Sequence, residues 1–397
     1  MVEHRKRLSR GICAVSHDFM HGVVVSDPAV MSWIEGALIC SAQWRSEWGS
    51  PPPARMVIAD DRMAADNAYR LACEGTALLW QGDFQNARQL LTAMARRVDR
   101  HPSKPGSSPA ETFHCYRQAQ SRRARILGML LMVLEDDYAI RLRRAPNLRM
   151  ACTEAYGVYD GRTIVSLREL LGLIGAHEWR KKGVKIPALD DRIYPHYGVF
   201  SPTRGEYVGL VAEAPLPSHV RAFDIGTGTG VLAAVLARRG VSQIVATDQD
   251  SRARACARAN LARLGFADRV KVVQAELFPD GLAPLIVCNP PWIPARPSAP
   301  IEHTIYDHES RMLHGFLKGL AAHLEPCGEG WLLLSDLAEH LRLRSRAELL
   351  ALFETAGLNV LGKIDVQPNH HRASDRTDPL YAARSAEVTS LWRLGAR

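Results

Sequence analysis

The sequence predicts an α/β protein: a doubly wound, mostly parallel seven-stranded sheet preceded by a mainly helical N-terminal part. Three observations lead there. From Val220 onward, short apolar runs alternate with glycine-rich turns and amphipathic helices, and right-handed crossovers in such a pattern lay helices over both faces of a parallel sheet. Residues 1–182 instead show apolar side chains at three- and four-residue spacing, the period of a packed helix. Finally, 397 residues, 47% hydrophobic and 23% charged, make a globular chain of two-domain size, which excludes disordered, collagen-like and small stapled scaffolds.

In chain order, helices are expected over residues 33–48, 60–80 and 83–98, the last with Phe84, Ala87, Leu90, Leu91, Met94 and Val98 on one face and Asp83 as its cap. Pro51, Pro52 and Pro53 interrupt the first pair, because proline removes a donor and fixes φ. The stretch 101–109 (H-P-S-K-P-G-S-S-P) is a connector, and a further long helix is expected over 110–144. Residues 1–190 hold 27 Lys and Arg against 20 Asp and Glu, so most of the net charge of +8 lies in the first half. Arg122, Arg123, Arg125, Arg141, Arg143 and Arg144 flank the apolar run 126–134 and read either as a nucleic-acid face or as a solvated helix surface.

Residues 183–219, with short alternating runs, prolines and glycines, are expected to form a hairpin or extended connector. The sheet domain then spans 220–397. Its strands are expected at 221–225, 243–247, 270–274, 285–288, 330–335, 360–366 and 388–394, with the last two antiparallel.

The chemistry concentrates at the ends of the early strands. Asp224-Ile225-Gly226-Thr227-Gly228-Thr229-Gly230 closes the first strand and opens a helix. Alternate glycines let backbone approach a ligand without Cβ collisions, beside the free N–H groups of a helix start. Asp248 ends the second strand, where a carboxylate can accept both hydroxyls of a ribose. Glu276 and Leu277 follow the third strand, placed to meet the amino edge and the face of an adenine. The fourth strand ends in Asn289-Pro290-Pro291-Trp292. Two prolines make a rigid turn without N–H donors, so the Asn289 amide oxygen and the Pro290 carbonyl converge as acceptors for a planar –NH2 group, with Trp292 over its π system.

Together these motifs resemble class I S-adenosylmethionine-dependent methyltransferases with an N-P-P-aromatic motif, the group of HemK-like glutamine methyltransferases and adenine amino-methyltransferases. The resemblance covers roughly half the chain. It implies that Asp224, Gly226, Thr227, Gly228 and Gly230 line the methionine part of S-adenosyl-L-methionine, Asp248 the ribose, Glu276 and Leu277 the adenine, and that Asn289, Pro290, Pro291 and Trp292 bind the methyl acceptor. HemK-like enzymes usually carry N-P-P-Y and an upstream I-P-R-P-E-T-E stretch; here Trp292 replaces the tyrosine, and Pro202-Thr203-Arg204-Gly205-Glu206 keeps Pro, Arg and Glu in similar order. Arg204, Glu206 and Tyr306 are therefore candidate acceptor contacts. Tyr306, Asp307, His308 and Glu309 read equally as a helix cap, and His370 and His371 as part of a polar linker.

The resulting expectation is an N-methyltransferase acting on a planar nitrogen, a protein glutamine amide being favoured and an adenine amine in RNA or DNA the alternative; a non-catalytic cofactor-binding scaffold is the third reading. The eight cysteines show no C-x-x-C pair or metal-ligand spacing, the basic N-terminus (Arg5, Lys6, Arg7, Arg10) is not followed by a signal-like apolar stretch, and no run approaches a membrane span. A cytoplasmic protein without structural metal is expected.

Overall fold

The computed structural model describes residues 29–102, 104–159, 161–297, 302, 305–368 and 371–397. Arg5, Lys6, Arg7, Arg10, Cys13 and His370 fall outside these, as do the side chains of His371 and Arg372.

The first half holds β1 (Val30–Glu35), β2 (Leu38–Trp44), β3 (Arg55–Ala59), α1 (Ala65–Cys73), β4 (Thr76–Trp80), α2 (Phe84–Asp99), α3 (Pro109–Leu127), β5 (Leu130–Leu134), α4 (Arg149–Tyr156), β6 (Thr163–Ser166) and α5 (Leu167–Lys182). Helical residues are the more numerous, but the layer they pack on is a six-stranded sheet of order β1-β2-β6-β5-β4-β3. The mainly helical expectation is corrected in three places. In place of a helix over 33–48, residues 30–44 form a hairpin, in which Met31 and Trp33 are buried while Ser32 and Ile34 are exposed, a period of two. The stretches 60–80 and 110–144 each break into a helix followed by a strand. Both strands are buried on two faces, and a short continuous apolar run cannot be told from a buried helix by its spacing.

Asp83 does cap α2: its carboxylate accepts from Gln85 N at 2.8 Å and also binds Arg143 Nε at 2.8 Å and Arg144 Nε at 2.7 Å. Arg123 pairs with Asp99 at 2.8 Å. Half of the arginines around the apolar run are thus engaged in intramolecular ion pairs. Hydrogen bonds from Arg144 and Arg143 hold the Asp83 carboxyl well below the usual range.

A short hairpin, β7 (Val184–Ile186) and β8 (Asp191–Ile193), and α6 (Glu206–Glu213) lead to the second sheet. That sheet is carried by β9 (Arg221–Ile225), α7 (Val231–Arg238), β10 (Gln243–Asp248), α8 (Ser251–Arg263), β11 (Val270–Gln274), β12 (Ala283–Cys288), α9 (Arg311–His323), β13 (Leu324–Ser335), α10 (Leu337–His340), α11 (Arg346–Thr355), β14 (Leu358–Val366), α12 (His371–Ser374), α13 (Tyr381–Ala386) and β15 (Thr389–Ala396). Its order is β11-β10-β9-β12-β13-β15-β14. The first five strands run parallel and β15 runs antiparallel to both β13 and β14. This is the doubly wound seven-stranded sheet the alternation predicts. One apolar layer, with Ala233, Leu236 and Val287, lies under α6 and α7; the other, with Phe223, Ile286 and Phe316, lies under α9 and α11.

Gly230 shows how the helices are brought close. Its φ is +81° and an added Cβ would stand 3.2 Å from Cα and Cβ of Ala257 on α8. Gly230→Ala therefore combines backbone strain with a helix–helix clash, and is expected to lower unfolding free energy by about 1–3 kcal/mol, measured by urea denaturation.

Candidate active site

Strand β9 lies between β10 and β12 with Ile225 opposite Thr247 on one side and Cys288 on the other. The turns that follow all three strands therefore open at one edge of the sheet. They enclose a cavity of about 630 Å³, within the range of small-molecule sites. Gly226, Thr227, Gly228, Asp248, Glu276, Asn289, Pro290, Pro291, Trp292, Arg204 and Tyr306 all line it.

The glycine turn is tied to its neighbours by backbone. Thr227 N donates to Thr247 O at 2.8 Å, and Gly228 N to Asp248 Oδ2 at 3.0 Å, while Asp250 N donates to Asp248 Oδ1 at 2.9 Å. Gly228 has φ +53° and a Cβ there would meet nothing within 4 Å, so its open side faces the cavity. Gly226 differs: with φ +69°, its Cβ would sit 2.6 Å from Met312 Cε. Burial raises the pKa of Asp248.

Four expected contacts do not reach the cavity wall. Asp224 is 1% exposed beneath the turn, where its Oδ2 accepts from Thr227 Oγ1 at 2.6 Å and from Ala233 N at 3.1 Å; it organises the loop from behind. Gly230 is spent on packing against α8. Leu277 turns its side chain onto Gly315 of α9, and only its carbonyl, accepting from Thr247 Oγ1 at 2.6 Å, ties the third turn to the second. Glu206 pairs with Arg204 at 3.2 Å.

On the opposite wall, Trp292 Nε1 donates to Asn289 Oδ1 at 2.8 Å. The Arg204 guanidinium stands 5.5 Å from the Trp292 ring centre and also pairs with the buried Glu387 at 3.1 Å. Tyr207 meets Trp292 edge-on at 6.5 Å. Asp307 accepts from Met312 N and Leu313 N at 2.9 and 3.1 Å, capping α9, so the helix-cap reading of 306–309 holds for Asp307 while Tyr306 faces the cavity. Glu276 pairs with Arg311 at 3.2 Å at the exposed rim. Sequence reasoning missed Val199, Phe200, Tyr207, Met312, Arg384 and, from the first half, Tyr116, all of which line the cavity. None belongs to a turn motif; each arrives from another element by packing.

A sheet of this order with a glycine turn and a cavity at its carboxyl edge defines a doubly wound enzyme for a nucleotide-like ligand. Residues 192–355 match the family model described as methyltransferase small domain. The chain is 34% identical over 163 residues to a tRNA1(Val) (adenine(37)-N6)-methyltransferase of Bacteroides thetaiotaomicron, covering 39% of this chain and 68% of that protein. It is 28% identical over 184 residues to an enzyme of the same description from Shewanella sp. MR-4, covering 44% and 75%. It is 29% identical over 224 residues to the release factor glutamine methyltransferase of Thermosynechococcus vestitus, covering 50% and 72%. The chain belongs to the methyltransferase small domain family, and it is an S-adenosylmethionine-dependent N-methyltransferase.

The residues present fit that cofactor. Gly228 leaves room at the wall, the Asp248 carboxylate retains acceptor sites beyond its two backbone donors, and Asp224 Oδ1 is buried without a hydrogen-bond partner among the described residues, which complements a cationic ligand close above it.

Burial pushes the Asp224 carboxyl up from 3.8 to about 6. Between these values the folded protein holds a proton that the unfolded chain does not, so ionising Asp224 costs stability as pH rises through 6. Relative to wild type, Asp224→Asn should gain stability from pH 4 to pH 7, by at most about 1.4 kcal/mol per pH unit, measured by denaturant unfolding at each pH without cofactor.

Proposed function

We propose that this protein methylates the exocyclic amine of an adenine in RNA, with S-adenosylmethionine held by the glycine turn and Asp248, and the base held at the Asn289-Pro290-Pro291-Trp292 turn. The observation that carries the reading is the aromatic lining of the acceptor end: Trp292, Tyr207, Tyr306, Phe200 and Tyr116 border the same cavity. An extruded base, with two π faces, suits such walls better than an aliphatic amide does. The adenine-N6 enzymes among the relatives support the same choice. A protein glutamine is the second reading, favoured by the release-factor relative and by the placement of Arg204 and Glu206 beside Trp292.

When bound, S-adenosylmethionine supplies an electrophilic methyl group. The protein's own contribution is geometric and electrostatic. The Asn289 amide oxygen, already fixed by the Trp292 N–H, has a second lone pair for one acceptor N–H, and the Pro290 carbonyl takes the other. As the nitrogen leaves conjugation and becomes tetrahedral, positive charge grows on these hydrogens. Two fixed acceptors therefore stabilise the transition state more than the ground state. A strong base is not needed before transfer, because the nitrogen–methyl bond would form as the methyl–sulfur bond breaks, leaving S-adenosylhomocysteine, and the proton would leave the methylated nitrogen for solvent water afterwards. Glu276 at the rim accepts from an adenine amino edge, and Tyr306 closes the acceptor side. The first half, with its basic excess, helps hold a large acceptor, and the protein works in the cytoplasm, where such acceptors are found. Among the described residues, no helix is long and apolar enough to cross a membrane.

The direct test incubates the full chain with methyl-labelled cofactor and either a pool of transcribed tRNA or a cell extract, followed by nuclease or protease. Label lost with nuclease and recovered as N6-methyladenosine supports the proposal; label that survives nuclease and falls to protease transfers it to the glutamine reading. Asn289→Ala is expected to lower turnover on the order of 100-fold while S-adenosylhomocysteine affinity, measured by calorimetry, stays within about twofold. Equal losses in both would remove Asn289 from the acceptor role.

A further inference from the structure

We infer that α3, a helix of the N-terminal half, is a working wall of the acceptor pocket, with Tyr116 selecting the acceptor and Arg117 positioning the Tyr306 ring. The inference rests on the reading of this cavity as the methyl-transfer site. Phe113, Tyr116 and Arg117 are spaced i, i+3, i+4 and so share one face of the helix. All three meet the methyltransferase half. Phe113 is 1% exposed in an apolar group with Ile293 and Leu337, and its ring centre lies 6.4 Å from that of Tyr306.

Among the described residues, Arg117 contacts Arg296, Glu302 and Tyr306, which follow the proline turn in sequence. Its guanidinium lies 3.9 Å over the Tyr306 ring, its Nη2 donates to Arg296 O at 2.7 Å, and it pairs with Glu302 at 3.3 Å. Tyr306 is in turn tied to the proline turn, where Ile293 bridges Tyr306 and Asp307 N donates to Ile293 O at 2.9 Å. The N-terminal half therefore fixes the ring that closes the acceptor side.

Tyr116 does something packing alone would not require. It is half-buried and lines the same cavity as Gly228, Asn289 and Trp292. A planar acceptor seated beside Trp292 shares that cavity with the Tyr116 ring. Specificity is thus built from both halves of the chain, whereas the glycine turn and Asp248 are held by hydrogen bonds within the methyltransferase half.

Two measurements test this. In kinetics on the acceptor that carries label, Tyr116→Ala and Arg117→Gln should raise acceptor KM about tenfold or more, with S-adenosylhomocysteine affinity and melting temperature close to wild type. Tyr116→Phe, which keeps the ring, should restore wild-type KM. Unchanged KM in Tyr116→Ala, or a loss of cofactor affinity parallel to the loss of activity, overturns the inference. Independently of turnover, a benzophenone amino acid placed at Tyr116 in the S-adenosylhomocysteine complex should cross-link transcribed tRNA far more efficiently than one placed at the exposed Gln118. Equal yields overturn the inference if RNA is the acceptor. If wild type labels protein instead, the preceding reading fails and the same two probes are scored on that protein, with the same two outcomes.

Discussion

The site depends on the parallel pairing of β9 with β10 on one side and β12 on the other. Connections leave β9 in one direction first and are later followed by strands added on its other flank, so the crevice opens where winding reverses. With Ile225 level with both Thr247 and Cys288, the glycine turn, the Asp248 turn and the proline turn end at the same height. A slip of one residue in either pairing would point the strand residues to opposite faces and separate donor from acceptor.

The price of this arrangement is electrostatic. Asp224 and Asp248 are both withdrawn from water, and each has its pKa raised by burial. Backbone N–H groups of Ala233, Gly228 and Asp250 and the Thr227 hydroxyl compensate in part. A buried and a half-buried carboxylate beside an open wall form a place where a cationic ligand is more welcome than water. The facing wall is built by the opposite means: prolines that cannot donate, and an indole N–H that orients the Asn289 amide.

The two halves of the chain were unequally readable. In the second, a glycine turn marks the end of β9 and paired prolines the end of β12, and the periodicity between the strands is clear. In the first, β4 and β5 are buried on both faces and carry no polar alternation, so they merge with the helices beside them. The same half supplies Tyr116 and Arg117, whose sequence context on an ordinary amphipathic helix says nothing of the cavity they reach.

The order of strands and helices in the second half, the chemistry of its turns and the class of reaction follow from sequence, because local backbone demands for glycine and proline are written in the residues themselves. Which carboxylate reaches the cavity wall was decided only by tertiary structure. Asp224 lies level with Ala246, two residues short of the level of Asp248, so the sheet and the loop bury the first carboxylate and leave the second in the cavity wall. The acceptor pocket, too, belongs to the folded molecule: α3 is remote in sequence, and only the packing of Phe113 against Ile293 and Leu337 carries Tyr116 to the cavity.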